Sequence, residues 1–216
     1  MVAEVPHLKI VYRPLPKAAC SSVKSALALI DPRHEASRDK ILADELFAHG
    51  VYQTDRFRGD RWLKYDDWWR FAVVRDPIKR LMSVYTDLVV GRKSLHHSAQ
   101  IKRQNLHPKD PDPDYFFQNI QEYRRLSSTV KHHSISAWFF LGPKPLQYDQ
   151  VYRVDEIASL EARLSELAKQ KVVVPRFNSS SSKLEYAELN EKTKESLHEF
   201  LLGEYTYLSE YFENPL

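Results

Sequence analysis

Short apolar runs recur along the chain at intervals that fit strands separated by helices. Runs of strand length occur at Leu8–Tyr12, Phe71–Val74, Gln150–Val154 and Val172–Val174. Phe71–Val74 is apolar throughout, which is typical of a strand buried on both faces. The runs therefore predict the strands of a covered sheet.

Segments with apolar residues at helical spacing lie between and after these runs. The predicted helices are Ser21–Ile30, Ala36–His49 with Gly50 as its C′ residue, a helix from the Asp76 cap to Gly91, Asp114–Leu126, a helix capped by Asp155, and Thr193–Leu202. The polar segment Arg92–Pro113 predicts a long mobile loop. Strands alternating with helices predict an α/β fold of three layers, in which helices flank a mostly parallel central sheet.

Composition narrows the class of protein. The chain has 216 residues, enough for one domain over residues 1–216, and its 43% hydrophobic and 28% charged content is ordinary for a globular protein. A net charge of +3 suits an anionic ligand but does not favour a nucleic-acid partner. One cysteine excludes an internal disulfide. We find no signal peptide and no membrane-length apolar stretch, so we expect a cytoplasmic protein.

The first segment with candidate chemistry is Pro16–Lys24, P-K-A-A-C-S-S-V-K. It follows a predicted strand and opens a predicted helix, and such a junction directs backbone N–H groups and the helix dipole at one point. Lys17 adds a cation, and Ser21 and Ser22 add hydroxyl donors. The segment therefore predicts a phosphate site.

The second segment is Arg70–Tyr85, in which Arg75 ends a predicted strand and Asp76 caps a predicted helix. Ser83 lies about two helical turns beyond the cap, on the same face. A guanidinium fork and a helix hydroxyl can converge on one phosphate. Together the segments predict a pocket for a ligand with phosphate groups at both ends.

The two segments resemble the carbohydrate sulfotransferases that use 3′-phosphoadenosine 5′-phosphosulfate (PAPS), especially the group of the chondroitin and HNK-1 sulfotransferases. In that group the first motif is similar to P-K-V-A-C-[ST]-N-W-K and the second to F-V-R-[DH]-P-[FW]-x-R-L-x-S-x-Y. Weaker resemblance continues through His133–Ile157 and Pro175–Ser180. The resemblance implies the sulfotransferase fold, which is similar to that of the P-loop nucleoside triphosphatases.

The resemblance also implies roles for individual residues. Lys17, Ser21 and Ser22 would hold the 5′-phosphosulfate, and Arg75 and Ser83 the 3′-phosphate. The remaining cofactor-binding residues would be Ala19 and Cys20 in the first loop and Asn178, Ser180 and Ser181 in a loop that closes over the nucleotide.

The expected reaction moves a sulfuryl group from PAPS to an acceptor hydroxyl, which the resemblance places on a carbohydrate. Lys17 is the expected catalytic cation at the leaving oxygen. We expect His133 to be the base that accepts the hydroxyl proton. The alternatives are His132, His49, Glu35 and Glu45. The scheme needs no metal ion, and the histidine pairs lack a zinc spacing.

Other functions stay open at this point. A kinase-like phosphotransferase also needs cations around phosphates, but all five glycines lie outside Pro16–Lys24, so the chain has no G-x-x-x-x-G-K-[ST] loop. A module that binds PAPS or another nucleotide without transferring a group is the other alternative. The oligomeric state cannot be predicted.

Overall fold

The computed structural model describes residues 2–44, 46–177 and 183–216. The strands among them are β1 (Ala3–Val5), β2 (Ile10–Arg13), β3 (Trp69–Val74) and β4 (Gln150–Arg153). The α-helices among them are α1 (Cys20–Ile30), α2 (Arg38–Ala43), α3 (Phe47–Val51), α4 (Gly59–Trp62), α5 (Pro77–Val84), α6 (Ala99–Gln104), α7 (Pro113–Gln118), α8 (Ile120–Leu126), α9 (Ser128–Ser134), α10 (Trp138–Leu141), α11 (Ile157–Ala168) and α12 (Glu191–Tyr207). A π-helix at Tyr85–Gly91 continues α5.

These elements form two compact units. One contains the described residues of 1–75 and 137–179, and the other those of 76–136 and 180–216. Each unit has its own cluster of buried apolar residues. That the chain acts as one domain stays a prediction.

The first unit is built on a sheet with the strand order β1-β2-β3-β4. β1 is antiparallel to β2, whereas the β2–β3 and β3–β4 pairs are parallel. Tyr12 of β2 packs with Phe71 and with Val23 of α1 on one face. The neighbouring Val11 packs with Trp62 in a separate cluster, since successive side chains of a strand point to opposite faces. The predicted α/β fold, with a mostly parallel sheet flanked by helices, is confirmed.

The described elements of the second unit are helices, and a buried ion pair joins two of them. Arg80 of α5 and Glu204 of α12 approach to 2.9 Å, with side chains only 2% and 3% exposed. Arg80 also donates to the carbonyl of Ile135 at 2.8 Å. Leu81, Leu197 and other apolar residues form the surrounding core. Because both charges are buried, each depends on the other for stabilisation.

The predicted helix Ala36–His49 is wrong, because the chain is interrupted within it. A 3₁₀-helix ends at Ser37, α2 ends at Ala43, and α3 starts at Phe47. Asp44 has extended backbone angles, and its carboxylate accepts from the N–H of Leu46 at 2.8 Å. An Asp side chain that caps its own backbone in this way competes with the helix. Gly50 lies inside α3 rather than after its end.

The predicted strand Val172–Val174 is also absent, although its alternation of burial is present. Val172 and Val174 are buried and Val173 is 55% exposed. The N–H groups of the two buried valines donate to side chains of α11, namely Ser165 Oγ at 2.9 Å and Glu161 Oε1 at 2.8 Å. Helix side chains thus satisfy the donors that a strand partner would have taken.

The prediction of a mobile loop throughout Arg92–Pro113 is wrong as well. The segment contains a 3₁₀-helix at Ser94–His97 and α6. Leu95 and Ile101 are 0% and 1% exposed and belong to the core of the second unit. Two buried apolar side chains in a polar segment are too few to produce the hydrophobic periodicity that predicts a helix.

The predicted caps of the helices gave mixed results. Asp76 caps α5, since its Oδ1 accepts from the N–H of Lys79 at 2.9 Å. Asp155 does not cap α11, whose N-cap residue is Glu156. The carboxylate of Glu156 reaches back to the N–H of Arg153 at 2.7 Å. This bond belongs to a capping box of the 3₁₀-helix Val154–Glu156, which precedes α11, and Glu156 makes no side-chain cap bond to α11 itself.

Candidate active site

The loop of residues 14–19 joins β2 to α1 and has a strained backbone. Lys17 and Ala19 have φ angles of 67° and 56°, in the left-handed region that costs a residue with a Cβ about 1–2 kcal/mol. Between them, Ala18 is fully buried, and its N–H donates to the carbonyl of Leu15 at 3.2 Å. Packing therefore holds the loop in a conformation typical of ligand-binding segments.

Helix α1 begins without a side-chain cap among the described residues. Ala19 is its N-cap residue, and the first turn contains no acidic side chain. The first-turn N–H groups have no partner within the helix itself, and the helix dipole adds a partial positive charge at this end. The start of α1 therefore has the polarity that binds an anion.

Arg75 follows β3 and contacts this loop. Because β2 and β3 are parallel neighbours, their carboxyl ends lie at the same edge of the sheet, where open α/β sheets bind ligands. Nη1 of Arg75 donates to the carbonyl oxygen of Lys17 at 3.2 Å. The structure thus brings together two cationic residues that the sequence placed in separate motifs.

Ser21 and Ser22 lie in the first turn of α1 with different surroundings. Ser22 is only 8% exposed, whereas Ser21 and the preceding Cys20 are half-buried. Oγ of Ser21 lies 2.8 Å from Nε2 of His49. Ser21 is therefore the more accessible of the two predicted hydroxyl donors.

His49 connects Ser21 to Lys24, a residue to which sequence reasoning assigned no role. Nδ1 of His49 lies 3.1 Å from Nζ of Lys24, which also donates to Thr54 Oγ1 at 2.6 Å. Lys24 is fully buried, and burial lowers its pKa to about 8. A lysine among the apolar residues of a core helix is the sequence signal that could have found it.

Arg13 is a second residue that sequence reasoning missed. It ends β2, is 4% exposed, and burial lowers its pKa. Its Nε donates to the carbonyl of Phe140 at 2.7 Å and its Nη2 to that of Asp55 at 2.9 Å. Arg13 therefore fixes the end of β2, from which the loop 14–19 starts. A cation that closes an apolar strand run was the available signal.

Ser83 and the start of α5 differ from the prediction in one respect. Asp76 already occupies the N-terminus of α5, and its Oδ2 accepts from the hydroxyl of Tyr205 at 2.8 Å. Ser83 Oγ donates to the carbonyl of Arg80 at 2.7 Å. To donate to a phosphate, this hydroxyl must leave a bond to its own helix.

The predicted base, His133, lies near the end of α9. Its Nδ1 lies 2.9 Å from the carbonyl oxygen of Thr129. A carbonyl only accepts, so Nδ1 carries the proton and Nε2 of the neutral ring has the lone pair that can accept one. The tautomer that a general base needs is therefore present.

The alternative bases have different surroundings. The ring of His132 lies 5.0 Å from that of His133. His49 faces Ser21 and Lys24 as described above. Glu35 is exposed in a 3₁₀-helix. Glu45 lies outside the described residues, as do three predicted nucleotide-binding residues, Asn178, Ser180 and Ser181.

In residues 2–44, 46–177 and 183–216, no group of three or more His, Cys, Asp or Glu side chains could hold a metal ion. None of the helices in that part of the chain has the length and apolarity required to cross a bilayer. The cytoplasmic location stays a prediction.

Comparison with known proteins places the chain in a family. A family model described as "Sulfotransferase family" matches residues 3–211. A search of curated proteins and a search of solved structures each found no match. The matched span includes the loop 14–19, α1 and Arg75, which carry the geometry described above. The chain therefore belongs to the sulfotransferase family.

Proposed function

We propose that the protein transfers a sulfuryl group from PAPS to a hydroxyl group of a carbohydrate. The observation that carries the proposal is the 3.2 Å hydrogen bond from Arg75 to the carbonyl of Lys17. It joins the two motifs at the start of α1. The loop 14–19 and the first turn of α1 contain no acidic residue, so nothing in these segments opposes a ligand with several negative charges.

The groups at this edge of the sheet differ in what they offer an anion. The first-turn N–H groups of α1 are fixed donors that suit the 5′-phosphosulfate. The ammonium of Lys17 is a compact charge for the oxygen that leaves with the phosphate. The guanidinium of Arg75 is a planar fork that suits the 3′-phosphate. Together they supply the charge that a ligand with phosphate at both ends requires.

The transfer breaks one S–O bond and forms another. The S–O bond to the bridging oxygen of the donor breaks, and the electron pair stays on the phosphate, where Lys17 stabilises the charge. A new S–O bond forms to the acceptor oxygen, whose proton passes to the base. We assign the base to Nε2 of His133, because Nδ1 is held as a donor by the carbonyl of Thr129.

The choice of a carbohydrate acceptor rests on the resemblance of the two motifs to the carbohydrate sulfotransferases. It is tested by assaying transfer from PAPS to sugar, phenol and peptide acceptors in parallel. Transfer to a phenol or a peptide but to no sugar would replace this part of the proposal. The proposal that PAPS is the sulfuryl donor would not be affected by that result.

The donor site is tested first, by thermal unfolding with the reaction product 3′-phosphoadenosine 5′-phosphate. A ligand at about 100 times its Kd adds roughly 2.7 kcal/mol of stability, which raises Tm by several degrees for a chain of this size. We expect this shift in the wild type and its loss in Arg75→Ala and Lys17→Ala.

The matched control is Arg61→Ala, which removes an exposed arginine of the same unit. It should keep the full shift. A wild type whose Tm rises with ATP and Mg²⁺ but not with 3′-phosphoadenosine 5′-phosphate would contradict the proposal and favour a kinase-like function. Product binding without transfer to any acceptor would favour a binding module.

A further inference from the structure

Three polar side chains form a continuous chain from the start of α1 into the core of the first unit. Ser21 Oγ lies 2.8 Å from His49 Nε2, and His49 Nδ1 lies 3.1 Å from Lys24 Nζ. Lys24 also donates to Thr54 Oγ1 at 2.6 Å. This series of hydrogen-bonded side chains begins at Ser21, a residue of the predicted anion site, and ends at Lys24, a fully buried cation.

The chemistry of the buried end decides the direction of both hydrogen bonds. An ammonium group has three N–H donors and no acceptor. When Lys24 is protonated, Nδ1 of His49 must therefore accept. A neutral imidazole whose Nδ1 accepts carries its proton on Nε2. Nε2–H of His49 then donates to Oγ of Ser21.

The direction of the last bond determines what Ser21 presents to a ligand. When Oγ accepts from His49, the hydroxyl hydrogen of Ser21 points elsewhere and can be donated to an anion. In the opposite tautomer the hydroxyl would donate to Nε2, and only oxygen lone pairs would face a negative ligand. One of the two tautomers therefore makes Ser21 a donor at the start of α1, and the other makes it repel the anion.

The protonation of Lys24 is compatible with this direction at neutral pH. Burial lowers the pKa of Lys24 to about 8, so most molecules keep the ammonium at pH 7. Among the described residues, Cys20 on α1 and His49 on α3 are titratable groups that face it. The hydrogen bonds to His49 and Thr54 stabilise the buried cation, and the nearby Cys20 raises the pKa of Lys24 against the larger effect of burial.

We infer that Lys24 is a positioning residue that acts through His49, holding its proton on Nε2 so that the hydroxyl of Ser21 donates to the bound anion. This inference rests on the proposed function for the identity of the anion. The tautomer itself does not depend on any ligand.

The tautomer is measured by NMR on the full chain with ¹⁵N-labelled histidine, without nucleotide, at pH 7. The His49 signals are assigned by comparison with His49→Gln. We expect a protonated Nε2 and an unprotonated Nδ1 in the wild type. Lys24→Met should move the ring toward the other tautomer, and Lys40→Met, which removes an exposed lysine, should not. A proton on Nδ1 in the wild type overturns the inference, even if Lys24→Met fails to fold.

The effect on Ser21 is measured by a double-mutant cycle. Lys24→Met should raise the Kd for 3′-phosphoadenosine 5′-phosphate about two- to tenfold, as loss of one oriented hydrogen bond does. In a Ser21→Ala background the same substitution should have no effect, since the two residues act in series. An unchanged effect in that background would overturn the inference.

The two proposals fail in different ways. A wild type that does not bind the nucleotide overturns the proposed function, while the ligand-free tautomer still decides whether Lys24 orients His49. A wild type that binds the nucleotide but holds the His49 proton on Nδ1 keeps the proposed function and removes the role of Lys24.

Discussion

The N-termini of α1 and α5 follow neighbouring strands of one sheet, yet they begin in opposite ways. Helix α5 is capped by Asp76 with Pro77 at its first position. Helix α1 follows the left-handed residue Ala19, without a side-chain cap among the described residues. A carboxylate that already neutralises a helix end contributes to stability, and an end without one is suited to a ligand.

The comparison changes the interpretation of the second motif. Since Asp76 takes the start of α5, we expect Arg75, the residue before it, to be the anion-binding residue of that motif. Arg75 donates to the backbone of the loop that precedes α1. We therefore expect substitutions around α5 to lower stability and substitutions around α1 to lower ligand binding.

The largest expected effect is on the unit that contains α5. Glu204→Ala would leave Arg80 buried without its counter-charge, which costs about 3–5 kcal/mol. Urea unfolding measures this loss. Glu199→Ala on the exposed side of the same helix should change stability by less than about 0.5 kcal/mol. Equal effects of the two substitutions would show that the ion pair does not stabilise the unit against unfolding.

The pH dependence of stability tests the buried Lys24 of α1. Burial lowers the pKa of Lys24 from 10.5 to about 8, so between these pH values the unfolded chain binds a proton that the folded chain lacks. Stability then rises with pH in that interval and is level below it and above it. The wild type should gain up to about 3 kcal/mol relative to Lys24→Met. Urea unfolding from pH 7 to pH 10 measures the difference, and a flat difference would refute the shifted pKa.

Removing the cap of α5 should have a smaller effect. Asp76→Ala loses the bond from the N–H of Lys79 and the bond from the hydroxyl of Tyr205. Loss of an N-cap costs about 1 kcal/mol, and a buried hydroxyl without a partner adds about 1 kcal/mol or more. Asp76→Asn keeps an N-cap acceptor and should lose less than half as much. The two variants are compared by thermal unfolding.

The smallest effect is expected from relaxing the backbone before α1. Ala19→Gly removes the steric cost of a φ of 56° and should stabilise the fold by up to about 1 kcal/mol. Ala162→Gly, at an exposed helical position of α11, should instead cost up to about 1 kcal/mol. If both substitutions destabilise equally, the loop is not strained at Ala19.

The sequence predicted best where a local rule settles the conformation. The Asp76-Pro77 pair fixed the start of α5, and the apolar run Phe71–Val74 identified β3. It predicted least well where a side chain competes for a backbone group. Asp44 interrupts the predicted helix Ala36–His49, and Ser165 Oγ accepts the N–H of Val172 that a strand partner would have bound. Such bonds depend on which groups meet in space, and periodicity does not encode that.

By itself, the sequence determined the family, the α/β fold class with a mostly parallel sheet, and the two motifs with their cations. These follow from local spacing and from residue types whose chemistry does not depend on context. Only the tertiary structure decided that Arg75 contacts the carbonyl of Lys17 and that Lys24 meets His49. The physical reason is that both contacts join segments far apart in the chain, and strand pairing in the sheet and the packing of α3 on α1 bring those segments together.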